Sequence, residues 1–267
     1  MICAGIDAGS RTIKVVLLDG SSLQVVGSGV VDQGVEQDLL ARQLLESVIH
    51  AHELHRDDVQ TIVATGYGRK LIRDASATIT EITCQAAGIA HVAPGARTVI
   101  DIGGQDSKLI RLAADGRVTD FIMNDRCAAG TGRFLEVVAT RLGVRLACLG
   151  DLAKRSQNPA MISSMCVVFA ETEIVGLLAQ EMAPEDIVAG VQAAIAARVT
   201  AMAGREVAAP VVFTGGVALV PGMDMALNAS LGQRVAVAAN PQLTCALGAA
   251  ILASKKPETG LVKGVPN

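Results

Sequence analysis

One pattern constrains this chain more than any other. An aspartate, a glycine two residues on and a lysine five residues further occur twice: Asp7, Gly9 and Lys14, then Asp101, Gly103 and Lys108. Each copy has the same local context. Ile2 to Ile6 reads as a strand, Asp7-Ala8-Gly9-Ser10 as a turn and Thr12 to Leu18 as a second strand. Asp19-Gly20 is a hairpin signal, and Leu23 to Val31 is a third strand. In the second copy, Val99 and Ile100 lead into Asp101-Ile102-Gly103-Gly104, with strands at Lys108 to Leu112 and Val118 to Met123 around Asp115-Gly116. Matches at fixed offsets in matched contexts argue for an internal duplication, with a boundary near 94–97.

The rest of the chain fits an α/β reading. Leu40, Leu44, Leu45, Val48 and Ile49 give residues 36–55 helical spacing. A strand from Gln60 to Ala64 enters Thr65-Gly66-Tyr67-Gly68, and a helix follows around 80–92. Helices are expected at 130–142, 166–181, 185–203 and 244–256, and strands at Val211 to Thr214 and Val235 to Ala238.

Of the 267 residues 51% are hydrophobic, enough for a substantial core. The five aromatics (Tyr67, Phe121, Phe134, Phe169, Phe213) leave little for stacking nucleic-acid bases, and a net charge of −3 shows no bias toward polyanions. The uncharged stretch from Val235 to Ser254 is interrupted by Asn240-Pro241-Gln242, so no membrane segment is expected; Asp7 comes too early for a secretory signal. The expectation is a cytoplasmic protein that binds neither nucleic acid nor membrane. Its six scattered cysteines are then free, metal-bound or catalytic rather than disulfide-paired.

The duplicated turns suggest a chemistry. Glycines let backbone N–H groups approach an anion, and an aspartate ending a strand can hold Mg²⁺ through water. Two such hairpins facing one another would grip a nucleoside triphosphate between the halves. The plainer reading of one Asp-x-Gly is turn chemistry. The repetition, the matched lysines and Gly215-Gly216 after a later strand favour the phosphate-binding reading. Lys14 and Lys108 could reach phosphate, although a lysine on a strand is commonly a solvated edge residue. His50, His52 and His55 lack the spacing of a helical metal pair and read as surface.

The hairpins resemble phosphate loops one and two of the actin, sugar kinase and heat-shock chaperone ATPases, and Thr214-Gly215-Gly216-Val217 resembles their adenosine loop. A more specific likeness lies in Ala64-Thr65-Gly66-Tyr67-Gly68-Arg69, in Asp101-Ile102-Gly103-Gly104-Gln105-Asp106-Ser107-Lys108, in Asn124-Asp125-Arg126-Cys127-Ala128-Ala129-Gly130-Thr131-Gly132 and in Ser163-Ser164-Met165-Cys166-Val167. These resemble the activator (component A) of 2-hydroxyacyl-CoA dehydratases, a family with the benzoyl-CoA reductase ATPase subunits as close relatives. The resemblance runs from about residue 3 to 254; Arg11, Met165 and Val167 depart from the family pattern.

What the resemblance implies is specific. The fold would be two duplicated ribonuclease H-like subdomains around a nucleotide cleft, the actin-like ATPase fold. The first would span 1–96, completed by the helix at 244–256; the second would span 97–243, with 257–267 a flexible tail. Asp7, Asp101, Gln105 and Asp106 would be catalytic, with Mg²⁺. ATP or ADP would be held by Gly9, Ser10, Arg11, Thr12, Lys14, Gly103, Gly104, Gly130, Gly132, Glu136, Gly215, Gly216, Val217 and Gln242. Taken alone, Cys127 and Cys166 could be small buried hydrophobes. In the family they are ligands of one [4Fe–4S] cluster shared by two subunits, which fits a cluster needing four thiolates and a chain offering two. Each would cap a helix, and one rigid helix from Cys127 would also carry Glu136. Cys3, Cys84, Cys148 and Cys245 would be packing residues.

The activity implied is ATP-driven, low-potential one-electron transfer in anaerobic metabolism. The acceptor would be a 2-hydroxyacyl-CoA dehydratase or a related CoA-ester reductase, the donor ferredoxin or flavodoxin, and the activator a homodimer. The alternatives are a small-molecule kinase of the same superfamily without a cluster, and a nucleotide-gated binding module.

Overall fold

The computed structural model describes residues 1–163, 166–204 and 207–255. In chain order the first elements are β1 (Ile2–Ala8), β2 (Thr12–Asp19), β3 (Val25–Asp32), α1 (Gln37–Ala51), β4 (Val59–Thr65), β5 (Ala77–Thr78) and α2 (Glu81–Val92). Next come β6 (Thr98–Ile102), β7 (Ser107–Leu112), β8 (Val118–Asn124), α3 (Gly132–Leu142), α4 (Leu149–Ala153), α5 (Val167–Ala179) and α6 (Pro184–Ala203). The chain continues through β9 (Val211–Thr214), α7 (Met223–Leu231), β10 (Val235–Val237) and α8 (Thr244–Ser254). Two compact units result: 1–88 with the segment from Cys245 onward, and 89–244.

The sheet of the first unit runs β3-β2-β1-β4-β5. β1, β2 and β3 form an antiparallel meander, while β4 is parallel to β1 and β5 to β4. β1 is central, and its buried residues leave no polar face. One side of the sheet is covered by α1, whose Leu45, Val48 and Ile49 join Ile6, Val15 and Leu17 in one apolar cluster. α8 packs here too. At Gly5 a Cβ would lie 2.0 Å from the Ala246 carbonyl oxygen, and at Gly248 one would lie 1.7 Å from that of Cys84. Backbone meets backbone at both places, so only glycine fits. Cys3, Cys84 and Cys245 are buried together in the apolar layer this helix closes.

The sheet of the second unit runs β10-β9-β6-β7-β8, the same order and the same mixture of directions. The duplication therefore extends from motif to topology and register. Asp7 pairs across β2 with Lys14, and Asp101 across β7 with Lys108. On the other side Asp7 stands opposite Thr65 of β4, and Asp101 opposite Thr214 of β9. The core here is larger: Phe134, Leu135 and Val138 of α3, Ala170 and Ile174 of α5 and Ile187, Val191, Ile195 and Val199 of α6 pack with Phe213 and Ile100. α6 is long and apolar enough to cross a membrane by length and composition alone, and half of that stretch is buried.

Besides the short β5, three details differ from the sequence expectation. α4 and α7 were not anticipated; α4 has only five residues, and α7 opens on Gly222 at a φ of +91° rather than on a polar cap. β3 starts at Val25 because Leu23 takes a positive φ of 56°. The third concerns the expected helix from Cys127, which is broken. Residues Ala128–Gly130 form one 3-10 turn, then Thr131 is extended (φ −136°, ψ 172°) and caps α3, its hydroxyl accepting from Arg133 N at 3.3 Å and donating to Ala128 O at 2.7 Å. No single rigid helix joins Cys127 to Glu136. The flexible-tail expectation for 257–267, and Met165, lie outside the described residues.

Candidate functional site

Asp7 and Asp101 each end the middle strand of a sheet, and each is flanked by the same two groups. In the first unit Lys14 Nζ is 3.0 Å from Asp7 Oδ2. Oδ1 leans the other way, over Gly66, where a Cβ would sit 2.5 Å from it and 2.5 Å from the Ala8 carbonyl oxygen. In the second unit Lys108 Nζ is 3.7 Å from Asp101 Oδ2 and 2.7 Å from Asp106 Oδ2. Asp101 Oδ1 leans over Gly215, where a Cβ would sit 2.4 Å from it. Gly66 and Gly215 both have a φ of +90°. Thr65-Gly66 and Thr214-Gly215 are thus equivalent positions.

The edge-strand reading of the lysines is corrected. β2 and β7 are paired on both sides, and Lys108 is only 3% exposed. A buried ammonium needs a counter-charge, and the register supplies an aspartate to each.

The hairpin turns repeat one bond, Gly9 N–H to Thr12 O at 3.1 Å and Gly103 N–H to Asp106 O at 2.9 Å. Their surroundings differ. Gln33 Nε2 donates to Gly9 O at 2.7 Å, and Gln33 N donates to Arg11 O at 3.0 Å. Ser10 is half-buried and Arg11 exposed. In the second turn the carbonyls of Gly103 and Gly104 accept from Gly132 N and Arg133 N, each at 2.9 Å, so the start of α3 fixes the loop while Gln105 stays exposed. A Cβ at Gly132 would lie 3.2 Å from both Gly103 O and Val217 Cγ2.

Gly216 and Val217 open the 3-10 turn that follows β9. Gly215 N–H donates to Pro241 O at 3.0 Å, which ties the turn before Gln242 to the same place. Glu136, one turn into α3, pairs with Arg133 at 3.0 Å. The second unit therefore gathers Asp101, Gly103, Gly104, Asp106, Gly132, Gly215 and Val217 beyond the carboxyl ends of β6 and β9, where parallel strands place ligands. Gly130 is placed otherwise: it is buried, facing Ser107, Asn124 and Arg198.

The cysteines divide by exposure. Cys127 and Cys166 are exposed; Cys3, Cys84 and Cys245 are buried, and Cys148 is intermediate, 3.8 Å from Arg145. The packing reading thus describes three of the remaining four. Burial pushes the Cys84 thiol up to about 12. Cys166 caps α5 and Cys127 caps only the short turn, both with extended backbone and neither bonding its own helix end through sulfur. Asn124 clamps Cys127 from both sides, Nδ2 donating to Cys127 O at 2.8 Å and Oδ1 accepting from Cys127 N at 3.1 Å. Sequence reasoning assigned Asn124 no role, although an Asn three residues before a turn is a known backbone mimic. An Arg141–Glu171 ion pair ties α3 to α5. Among the described residues no three or more His, Cys, Asp or Glu side chains gather as a metal site. His50, His52 and His55 are exposed on the first unit, as read. Tyr67 is exposed beside Gly66.

A duplicated mixed sheet with an acid, a lysine and two glycine turns at the ends of its central strands is the actin-like fold. A ROK family glucokinase from Streptomyces griseus, solved with glucose and AMPPNP, shares that fold at 14% identity, with a TM-score of 0.61 over 95% of this chain and 99% of its own. The BadF/BadG/BcrA/BcrD ATPase family matches residues 4–253, and the chain belongs to it. It is accordingly an ATP-hydrolysing enzyme. The activator of lactoyl-CoA dehydratase from Anaerotignum propionicum is 44% identical over 255 residues, 95% of this chain and 97% of that protein. The activator of the 2-hydroxyisocaproyl-CoA dehydratase from Clostridium difficile, solved with bound ADPNP, superposes with a TM-score of 0.90 at 40% identity, covering 95% of this chain and 94% of its own.

Proposed function

We propose that this protein is the ATP-hydrolysing activator of a 2-hydroxyacyl-CoA dehydratase or a related CoA-ester reductase. The relatives' names and the residues at the strand ends support this reading. Asp7 and Asp101, with Gln105 and Asp106, would hold Mg²⁺ and position the attacking water, the metal supplying charge at the phosphates. Gly9 N–H and Gly103 N–H close the turns, and the rest of the backbone of the hairpins at Gly9 to Thr12 and at Gly103 and Gly104 addresses the phosphates, with Lys14 adding charge. Gly215, Gly216, Val217, Glu136 and Gln242 address the nucleoside.

The observation that carries the electron-transfer part is the exposure of Cys127 and Cys166, the two cysteines of the family motifs. Two thiolates from each of two subunits complete the donor set of a [4Fe–4S] cluster. Such a cluster, when bound, supplies a one-electron carrier, with ferredoxin or flavodoxin as the donor. The residues fit the group: both cysteines are exposed, Asn124 fixes one backbone and α5 fixes the other. Next to Cys166, Val168 and Phe169 are 67% and 70% exposed on α5, an apolar surface suited to a second copy of the chain.

Anaerobic purification with iron and sulfide analysis tests the cluster; a colourless protein after reconstitution overturns it. Asp7→Asn and Asp101→Asn should each slow phosphate release at least about tenfold, and wild-type turnover in both overturns the assignment of the two turns.

A further inference from the structure

The two central aspartates have equivalent neighbours on β4 and β9, and one atom there is treated differently. Thr65 and Thr214 hold equivalent register positions, each beside its aspartate on the same face of its sheet. Both are fully buried. Thr214 Oγ1 is satisfied within the protein, at 2.7 Å from Pro241 O and 2.6 Å from Thr244 Oγ1. Thr65 Oγ1 has no hydrogen-bond partner.

The difference has a structural origin. After β10 the chain makes the Asn240-Pro241-Gln242 turn before entering α8, and that turn delivers the carbonyl. After β5 only Ile79 and Thr80 precede α2, and the group standing near Thr65 is the Cys84 thiol, whose burial keeps it protonated. Thr65 acts on that thiol, against the larger effect of burial, but a thiol is a weak partner and Oγ1 has no hydrogen bond of ordinary geometry. A fully buried hydroxyl left unpaired in a native protein calls for a partner that arrives later. An acceptor stands next to it in the register: the Asp7 carboxylate, whose Oδ1 leans over Gly66, the residue after Thr65.

We propose that Thr65 is a positioning residue: in the Mg·nucleotide-bound state its hydroxyl donates to the Asp7 carboxylate and fixes the orientation of Oδ1, while Lys14 holds Oδ2. The proposal rests on the reading of Asp7 as part of the ATP site.

Thr65→Val, Thr65→Ser and Thr214→Val separate this role from packing. Thr65→Val should melt at or above the wild-type temperature without nucleotide, because it removes an unsatisfied group, whereas Thr214→Val should melt lower. With Mg·ATP, Thr65→Val should lose at least about fivefold in kcat with KM little changed, and Thr65→Ser should recover to within about twofold. A lower melting temperature or failure to fold in nucleotide-free Thr65→Val shows that the hydroxyl is already engaged, and overturns the proposal. So does wild-type kcat in that variant while Asp7→Asn is impaired. Wild-type turnover in Asp7→Asn itself would instead overturn the site on which the proposal rests.

Discussion

Gly215→Ala and Gly216→Ala put one methyl group on neighbouring residues, and the structure sets their consequences far apart. At Gly215 the φ of +90° disfavours any L side chain, at a cost of roughly 1–2 kcal/mol. The new Cβ would also lie 2.4 Å from Asp101 Oδ1 and 2.4 Å from Ile102 O. The backbone oxygen cannot leave, so the turn itself must shift, and forcing a methyl group into so tight a place costs about 1–3 kcal/mol. The two effects together come to about 2–5 kcal/mol. At Gly216 no heavy atom lies within 4 Å. Alanine there should leave stability within about 0.5–1 kcal/mol, on the favourable side, since it restricts the unfolded chain. Urea unfolding under anaerobic conditions, followed by a probe in the second unit, measures the difference. Binding of an ATP analogue supplies the complement: Gly216→Ala should keep the fold and weaken nucleotide binding, because its open side is the proposed nucleoside side. Equal midpoints for the two variants would refute the argument from Gly215.

Cys127→Ala and Cys166→Ala should each lose iron while retaining ATP binding, since both lie apart from the glycine turns; full iron with an unchanged spectrum in either variant removes that residue from the ligand set. The Cys84 thiol titrates near 9.0 when unfolded and about 12 when folded. Between those values the folded chain keeps a proton that the unfolded chain loses, so stability should fall as pH rises above 9 and be insensitive to this thiol below it. Cys84→Ala should flatten that alkaline limb, with a residual slope from Cys3, whose thiol burial also raises; identical slopes in variant and wild type would contradict the burial argument.

The repeat was legible because cross-strand register demands fixed offsets: Asp7 meets Lys14, and Asp101 meets Lys108, across the same tight turn. The second half of the repeat was not. Thr65 and Thr214 are equivalent in space, but one helix separates β3 from β4 while α3 to α6 separate β8 from β9, so no constant offset links them to their aspartates. The break before α3 had a sequence signal in Thr131, a good N-cap between two glycines, which the apolar spacing of the helix outweighed. The burial of Lys108 and the exposure of Cys127 and Cys166 depend on which strands and helices become neighbours, and residue spacing within one segment does not carry that information.

The packing of α8 against β1 sets a timetable for the chain. The second unit, as far as residue 243, precedes α8 along the chain, so it can fold before α8 is in place. The first unit cannot be completed in the same way. The surface of β1 around Gly5 has to wait, uncovered, for Ala246 and Ala250 to emerge at the far end of the chain, and closing so long a loop is slow. The part of the protein made first is thus the last to be finished, and a chain stopped before residue 244 would expose an apolar strand face that invites aggregation.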